Sequence, residues 1–179
     1  VGRTNTLGPQ AAEQGINKAV FREGVVIQMT WTGAPTIYYG DEAGVCGFTD
    51  PDNRRTYPWG HEDQVLLAFH KDIIRLRREN EELRSGSLKM LESDYNFISY
   101  GRFNRKGQCA VLINNNNHPI TKEIHVWEIG TPKTGKMKVI LQSRDDGYCM
   151  EGAEYEIKAG KILIEMPQTS ATILKFIEE

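Results

Sequence analysis

The chain has 179 residues, 39% hydrophobic and 26% charged, with a formal net charge of −2. That length suits one medium domain, or a small domain plus part of another. The near-neutral balance gives no electrostatic basis for binding nucleic acid or an anionic membrane, and no apolar run approaches the ~20 residues that span a bilayer, so neither is expected as a partner.

In chain order, Pro9 suits the first turn of a helix, and Ile16, Ala19, Val20 and Ile27 recur at spacings near the helical period. Gly24 weakens that helix and Thr30-Trp31-Thr32-Gly33 ends it. The following run, Ala34-Pro35-Thr36-Ile37-Tyr38-Tyr39, is β-prone and lies between Gly33 and Gly40. It lacks polar–apolar alternation, which suits a strand buried on both faces. Residues 40–60 hold four glycines, Pro51, Pro58 and the cluster Asp50-Pro51-Asp52-Asn53-Arg54-Arg55. A loop of that length in a compact chain is usually functional or disordered. A second helix is predicted from Glu62 to Arg84, with Val65, Leu66, Phe69, Ile73 and Leu76 as its apolar stripe. Its Lys71, Arg75, Arg77, Arg78 and Arg84 alternate with Asp72, Glu79, Glu81 and Glu82, and read as a solvated face laced with ion pairs.

After Ser85-Gly86-Ser87 the apolar period falls to two. Strands are predicted at Lys89–Glu92, Phe97–Phe103, Gln108–Ile113, Ile120–Trp127, Lys136–Leu141, Glu154–Ile157, Lys161–Met166 and Ala171–Phe176, separated by turn clusters such as Asn114-Asn115-Asn116-Asn117 and Asp145-Asp146-Gly147. Short strands with regular turns argue an antiparallel sandwich or barrel. The domain boundary is therefore placed near residue 86, giving 1–85 and 86–179. Helix, buried strand, long loop and helix before an all-β domain resemble the end of a (β/α) barrel followed by an accessory β-domain. In such barrels the loop after a strand lies on the active-site face.

The run Gly33-Ala34-Pro35-Thr36-Ile37-Tyr38-Tyr39-Gly40-Asp41-Glu42, followed by Asp50-Pro51-Asp52-Asn53-Arg54-Arg55 and Trp59, resembles the end of the catalytic barrel in the α-amylase family, glycoside hydrolase family 13. It is similar in particular to the neopullulanase, cyclomaltodextrinase and maltogenic amylase group. The resemblance covers about residues 9–85; the β-domain matches in position and character. It implies α/β plus all-β architecture: the last strand and helices of a (β/α)8 barrel, then an antiparallel β-sandwich. It also implies a retaining hydrolase or transglycosylase acting on starch, maltodextrin or cyclodextrin, with two carboxyl groups about 5–5.5 Å apart across the bond. The family's nucleophile, acid/base and stabilising aspartate lie on earlier strands, and none of their motifs occurs here. No catalytic residue is therefore expected in this chain, and the isolated fragment is expected to be inactive.

By the same resemblance Asp50 and Arg54 contact glucose units on the non-reducing side of the cleaved bond; the alternative is an intraloop pair that holds the loop's shape. Asp41 and Glu42 are expected to structure the loop near the cleft. Tyr39 is placed there with them, and Trp59 is expected to anchor the loop by packing. The histidines, His61, His70, His118 and His125, show no metal-ligand spacing, and no metal or cofactor is expected. Cys46, Cys109 and Cys149 read as free thiols of a reducing compartment. The start, Val-Gly-Arg-Thr-Asn, carries no methionine and no signal-peptide pattern. The chain thus reads as a fragment, cytoplasmic by expectation, with a signal upstream left open. Its expected partners are an α-glucan oligosaccharide and the missing barrel segment; a homo-oligomer is left open. Residues 1–60 cannot bury their own apolar faces, because the whole ring of strands closes that core, and are expected to be partly disordered, repacked or paired with another copy. The competing reading is a non-catalytic carbohydrate-binding or structural accessory domain, with Trp127, Tyr148 and Tyr155 as candidate aromatics and Trp127 either stacking on sugar or packing between domains.

Overall fold

A computed structural model describes residues 7–178, without the side chains of Pro9 and Gln10. The chain divides into two compact units, one of residues 36–71 with those before 18, the other of residues 18–35 with 72–179. The first predicted helix is split. Pro9–Ala12 form a 3-10 turn, Gly15 takes a positive φ of 76°, and α1 runs Lys18–Thr30. Its buried face is Ala19, Arg22, Glu23, Val26, Met29 and Thr30, whereas Ile16 and Val20 are exposed. The sequence concealed this face because two of its members are charged.

Residues 34–38 are not a strand. A strand is held by a ladder of backbone bonds to a neighbour, and neither of the two sheets takes in this segment. The second helix is also two pieces, α2 (Gln64–Glu79) and α3 (Glu81–Ser85). They part at Asn80, which has an extended backbone and donates from its own amide to the Leu76 carbonyl at 2.7 Å. That side-chain bond competes with the helical ladder. Leu66, Phe69, Ile73 and Leu76 are buried as predicted, but Val65 is exposed.

The strands are β1 (Ser87–Asp94), β2 (Phe97–Phe103), β3 (Gln108–Asn114), β4 (Ile120–Ile124), β5 (Gly135–Arg144), β6 (Gly147–Cys149), β7 (Glu154–Ile157), β8 (Ile162–Met166) and β9 (Ser170–Ile177). β1-β2-β3-β9-β5-β6 form one antiparallel sheet, with β7 also on β5, and β4 pairs β8 in a second sheet. β4 stops at Ile124 instead of running on to Trp127. Val126–Ile129 form a 3-10 turn closed by Gly130 at φ 89°, which turns both Val126 and Ile129 into the core.

Between the sheets lies one apolar core. Phe97, Ala110, Leu112, Met137, Val139 and Leu174 come from the large sheet, and Ile124, Ile162, Ile164 and Met166 from the small one. β8 alternates buried and exposed, as a strand with one covered face must. β3 is buried almost throughout, because helices cover its other side: α3 packs on β2 and β3, and α1 on β9 and β5. Each apolar side chain fully buried here contributes about 1.5–3 kcal/mol.

Candidate functional site

The loop after residue 39 is built on glycine and carboxylate chemistry. Gly40, at φ 93°, offers its carbonyl to the amides of Ala43 (3.0 Å) and Val45 (2.9 Å). Its own amide donates to Glu42 Oε2 at 3.0 Å. Asp41–Ala43 form a 3-10 turn. Partial burial raises the Asp41 carboxyl above its ordinary range, the Glu42 charge adds to this, and His70 opposes it. Asp63 then caps α2, its Oδ1 accepting from the amides of Val65 and Leu66 at 3.0 Å each. These contacts show how Asp41 and Glu42 shape the turn by local bonding.

The loop folds back closely on itself at Gly47. A Cβ there would lie 2.5 Å from the Asn53 Cα. That approach accompanies the turn in which Arg54 meets Asp50. Arg54 Nε and Nη2 donate to Oδ1 and Oδ2 of Asp50, both at 2.6 Å, a bidentate fork. The pair is open to solvent, with 64% of the Arg54 and 59% of the Asp50 side chain exposed. Hydrogen bonding to Asp50 holds the Arg54 guanidinium above its usual pKa. The Asn53 Oδ1 is buried without a hydrogen-bond partner.

Aromatic side chains accompany the pair. The rings of Tyr38 and Tyr39 lie 5.0 Å apart, and Arg54 acts electrostatically on Tyr38. Tyr39 donates its hydroxyl to the Arg55 carbonyl at 2.9 Å, which ties residue 39 to the far side of the loop. Trp59 stands 81% exposed, with its ring 4.5 Å from Tyr57. Its packing within the loop is thus on Tyr57 and leaves most of the indole in solvent. Beside them is a cleft of about 470 Å³ whose walls include Glu13, Cys46, Arg55, Pro58 and His61. In the sequence Cys46, Arg55, Pro58 and His61 stand out one by one and not as a group, since nothing in their spacing announces a shared wall. His70 is buried and engages the Leu66 carbonyl through Nδ1 at 2.8 Å, the behaviour of a core histidine.

A second polar cluster lies in the unit of residues 18–35 and 72–179. Arg77 donates to the carbonyls of Met29 (2.7 Å), Leu83 (2.8 Å) and Gly33 (2.7 Å). Arg102 donates to those of Thr30 and Gly86. Two buried guanidiniums thus satisfy the free carbonyls at the C-terminus of α1. The sequence placed Arg77 and Glu82 on a solvated face, and the structure corrects this: both are buried. Glu82 instead accepts from the Cys109 thiol at 3.3 Å and pairs with Lys175. Burial pushes the Cys109 thiol well up. Among the described residues no cysteine is in a disulfide. No helix among the described residues is long and apolar enough to cross a membrane.

Residues 89–177 match the family described as Alpha amylase, C-terminal all-beta domain. The chain is 35% identical over 152 residues to an amylopullulanase of Thermoanaerobacter thermohydrosulfuricus, covering 83% of this chain and 10% of that one. It is 34% identical over 164 residues to neopullulanase 2 of Thermoactinomyces vulgaris, covering 89% and 26%. Its fold is shared with the α-amylase of Geobacillus thermoleovorans, solved in complex with acarbose, at a TM-score of 0.75 and 19% identity over 99% of this chain and 37% of that one. The chain therefore spans a tenth to about a quarter of the curated relatives named here. The antiparallel domain that follows the loop in the sequence agrees with these matches, and the chain belongs to the α-amylase family, with residues 89–177 as its C-terminal all-β domain.

Proposed function

We propose that this chain is part of a retaining α-glucan glycoside hydrolase or transglycosylase, to which it brings a sugar-contacting loop and the C-terminal β-domain. Residues 1–85 complete the barrel and 86–179 form the sandwich. One observation carries the reading: Asp50 and Arg54 form an exposed bidentate pair on the loop after the Tyr38-Tyr39-Gly40-Asp41-Glu42 run. A carboxylate and a guanidinium locked side by side offer sugar hydroxyls a charged acceptor and charged donors with little left to reorganise. Each Asp50 oxygen keeps a second lone pair for a hydroxyl.

The same geometry argues against local catalysis. Asp50 is tied to Arg54, and Glu42 is committed to the Gly40 amide. A retaining pair approaches a sugar from opposite faces at about 5–5.5 Å, and neighbouring residues of one turn are poorly placed for that. The catalytic carboxylates are assigned to barrel strands outside these 179 residues. The partners are an α-glucan oligosaccharide and the rest of the barrel. Cys46, Cys109 and Cys149, none of them in a disulfide, support a reducing compartment, the cytoplasm.

The test is release of reducing sugar from maltooligosaccharides and β-cyclodextrin by the purified chain, beside a cyclomaltodextrinase as positive control. No release above blank is expected. Turnover that disappears on changing Asp41, Glu42, Asp50 or Asp52 would show a local site and overturn the assignment.

A further inference from the structure

The crossing from the large sheet to the small one, between β3 and β4, is the asparagine run Asn114 to Asn117 followed by His118 and Pro119. The fold treats these asparagines differently. Asn114 is buried, and its Nδ2 donates to the Pro167 carbonyl at 2.7 Å. Its Oδ1 accepts from the Asn116 backbone amide at 3.2 Å and from Asn116 Nδ2 at 2.8 Å. The Asn115 amide donates to the Asn96 carbonyl at 2.8 Å, and the Thr169 amide to the Asn116 carbonyl at 3.0 Å. Asn114 and Asn116 thus spend their side chains on holding the turn.

Asn117 stands outside this network. It is exposed, in a bend of the chain over residues 116–118. Among the described residues its side chain has no hydrogen-bond partner, and neither has the backbone amide of His118 that follows it. That amide is the nucleophile nearest to the Asn117 side chain, joined to it through one short stretch of chain. Attack requires an amide able to lose its proton and a side chain able to swing over it. The other asparagines lack one or both freedoms. Asn115 is exposed, but the amide after it is engaged by Asn114 Oδ1. Asn104 Oδ1 accepts from the amides of Lys106 and Gly107. Asn80 is buried, and its side chain is bonded to the Leu76 carbonyl.

We propose that Asn117 is a site of deamidation, with water as the co-reactant. The His118 amide nitrogen gives its proton to a solvent base and bonds to Asn117 Cγ. The Cγ–Nδ2 bond breaks, and Nδ2 takes a proton from water and leaves as ammonia. Water then opens the succinimide ring. Breaking the bond from nitrogen to Cγ yields aspartate; breaking the bond from nitrogen to the backbone carbonyl carbon of residue 117 yields isoaspartate. No atom is oxidised or reduced. Both products put a negative charge on the crossing between the sheets. Isoaspartate also lengthens the main chain there by a methylene, between the tie at Asn116 and the start of β4. The site therefore ages the connection between the two sheets, and it stands independently of the α-glucan reading.

The test is warm incubation of the full 179-residue chain at neutral and mildly alkaline pH, followed by peptide mapping with mass spectrometry. Wild type is compared with Asn117→Gln, Asn115→Gln and His118→Ile. Residue 117 is expected to show the mass gain of an amide-to-acid exchange before Asn115 or Asn104 does, as a pair of peptides of equal mass. The rate should rise severalfold from neutral to alkaline pH, because loss of the amide proton precedes attack. Asn117→Gln should abolish the gain, since a six-membered ring closes far more slowly, and Asn115→Gln should leave it in place. His118→Ile, whose branched side chain crowds the attacking nitrogen, should slow it severalfold. Conversion first at Asn115 or Asn104 would overturn the proposal. An unchanged rate in His118→Ile would do so too, because the amide would then not be the nucleophile. So would an intact residue 117 in the folded chain over the time in which a free peptide of the same sequence converts.

Discussion

The two compact units satisfy their polar groups by different means. In the unit of residues 18–35 and 72–179, backbone is tied across long separations in sequence. Antiparallel ladders join β3 to β9 and β9 to β5, and Arg77 and Arg102 reach back to the end of α1. In the unit that contains residues 36–71, many bonds span only a few residues, beside the longer ties of Tyr39 to Arg55 and Asp63 to Ala43. Gly40 bonds within five residues, Asp63 caps the helix beginning beside it, and Asp50 holds the arginine four residues on. The first unit buries Phe97 and Tyr100, whose phenol burial pushes up to about 12, although Trp31, Tyr95 and Trp127 stay exposed. The second displays Tyr38, Tyr39 and Trp59. Long-range satisfaction gives stability, and local satisfaction leaves side chains free to meet a ligand.

The largest effect should come from removing a buried guanidinium. Arg102 is 1% exposed and serves the Thr30 and Gly86 carbonyls. Burial lowers its pKa, yet it remains a cation bound to carbonyls. Arg102→Met should cost about 3–5 kcal/mol in urea unfolding, since it leaves buried acceptors unpaired. A cost below about 1 kcal/mol would mean that this polar core is incidental to the unit's stability.

Glycines probe the same contrast at a smaller scale. At Gly101, on β2, an added Cβ would lie 2.1 Å from Ile129 Cγ2 in the core. Gly101→Ala should cost about 1–3 kcal/mol by overpacking. At Gly47 the clash is 2.5 Å from the Asn53 backbone. Gly47→Ala should disturb the Asp50–Arg54 turn, read by hydrogen exchange there, and leave the midpoint of the main unfolding transition unchanged. Equal shifts in that midpoint would erase the distinction between the units.

Glu23 supplies a pH test. It is 4% exposed, with Oε1 lacking a hydrogen-bond partner. Burial, then the charge of Asp145, push its carboxyl up to about 8 from 4.5. Between those values the folded chain holds a proton that the unfolded chain has lost. Stability from this group is therefore fully present below about 4.5 and falls as pH rises toward about 8. Glu23→Gln should flatten that decline, leaving the variant more stable than wild type at pH 8 by about 2–4 °C or more in Tm. Parallel curves for the two proteins would mean that Glu23 is solvated.

How far the sequence revealed this structure follows from which signals were local. Alternation marked β8 almost to the residue, because a half-covered strand must alternate, whereas β2 and β3, covered on both sides, were located by their β-prone composition and the turn clusters that bound them. β6 escaped notice: three residues, Gly147–Cys149, carry too little pattern. The end of β4 was misread because Val126 continues the parity of Ile124 while the backbone has already turned. The extended run 34–38 has strand composition without ladder partners, which no local pattern reports. Arg77 and Glu82 read as surface charges, since the carbonyls of Met29 and Gly33 that Arg77 meets, and the Cys109 and Lys175 that Glu82 meets, lie tens of residues away. The pairing of Asp50 with Arg54 was among the readings open in the sequence, because four residues and a turn suffice to make it.

That pair should give the smallest effect on stability. More than half of each side chain is exposed, so solvent screens the pair and it adds little to stability, less as salt rises. Asp50→Asn keeps the size and part of the hydrogen bonding while removing the charge. It should leave the urea midpoint almost unchanged. Its effect on ligand should be far larger than its effect on folding, because a charge-assisted bond to a hydroxyl becomes a neutral one. Maltoheptaose affinity for the loop component should fall about fivefold or more, and Arg54→Lys, which keeps the charge and loses the fork, should fall with it. If both variants bind like wild type, the exposed loop owes its Asp–Arg pair to its own shape and not to a ligand.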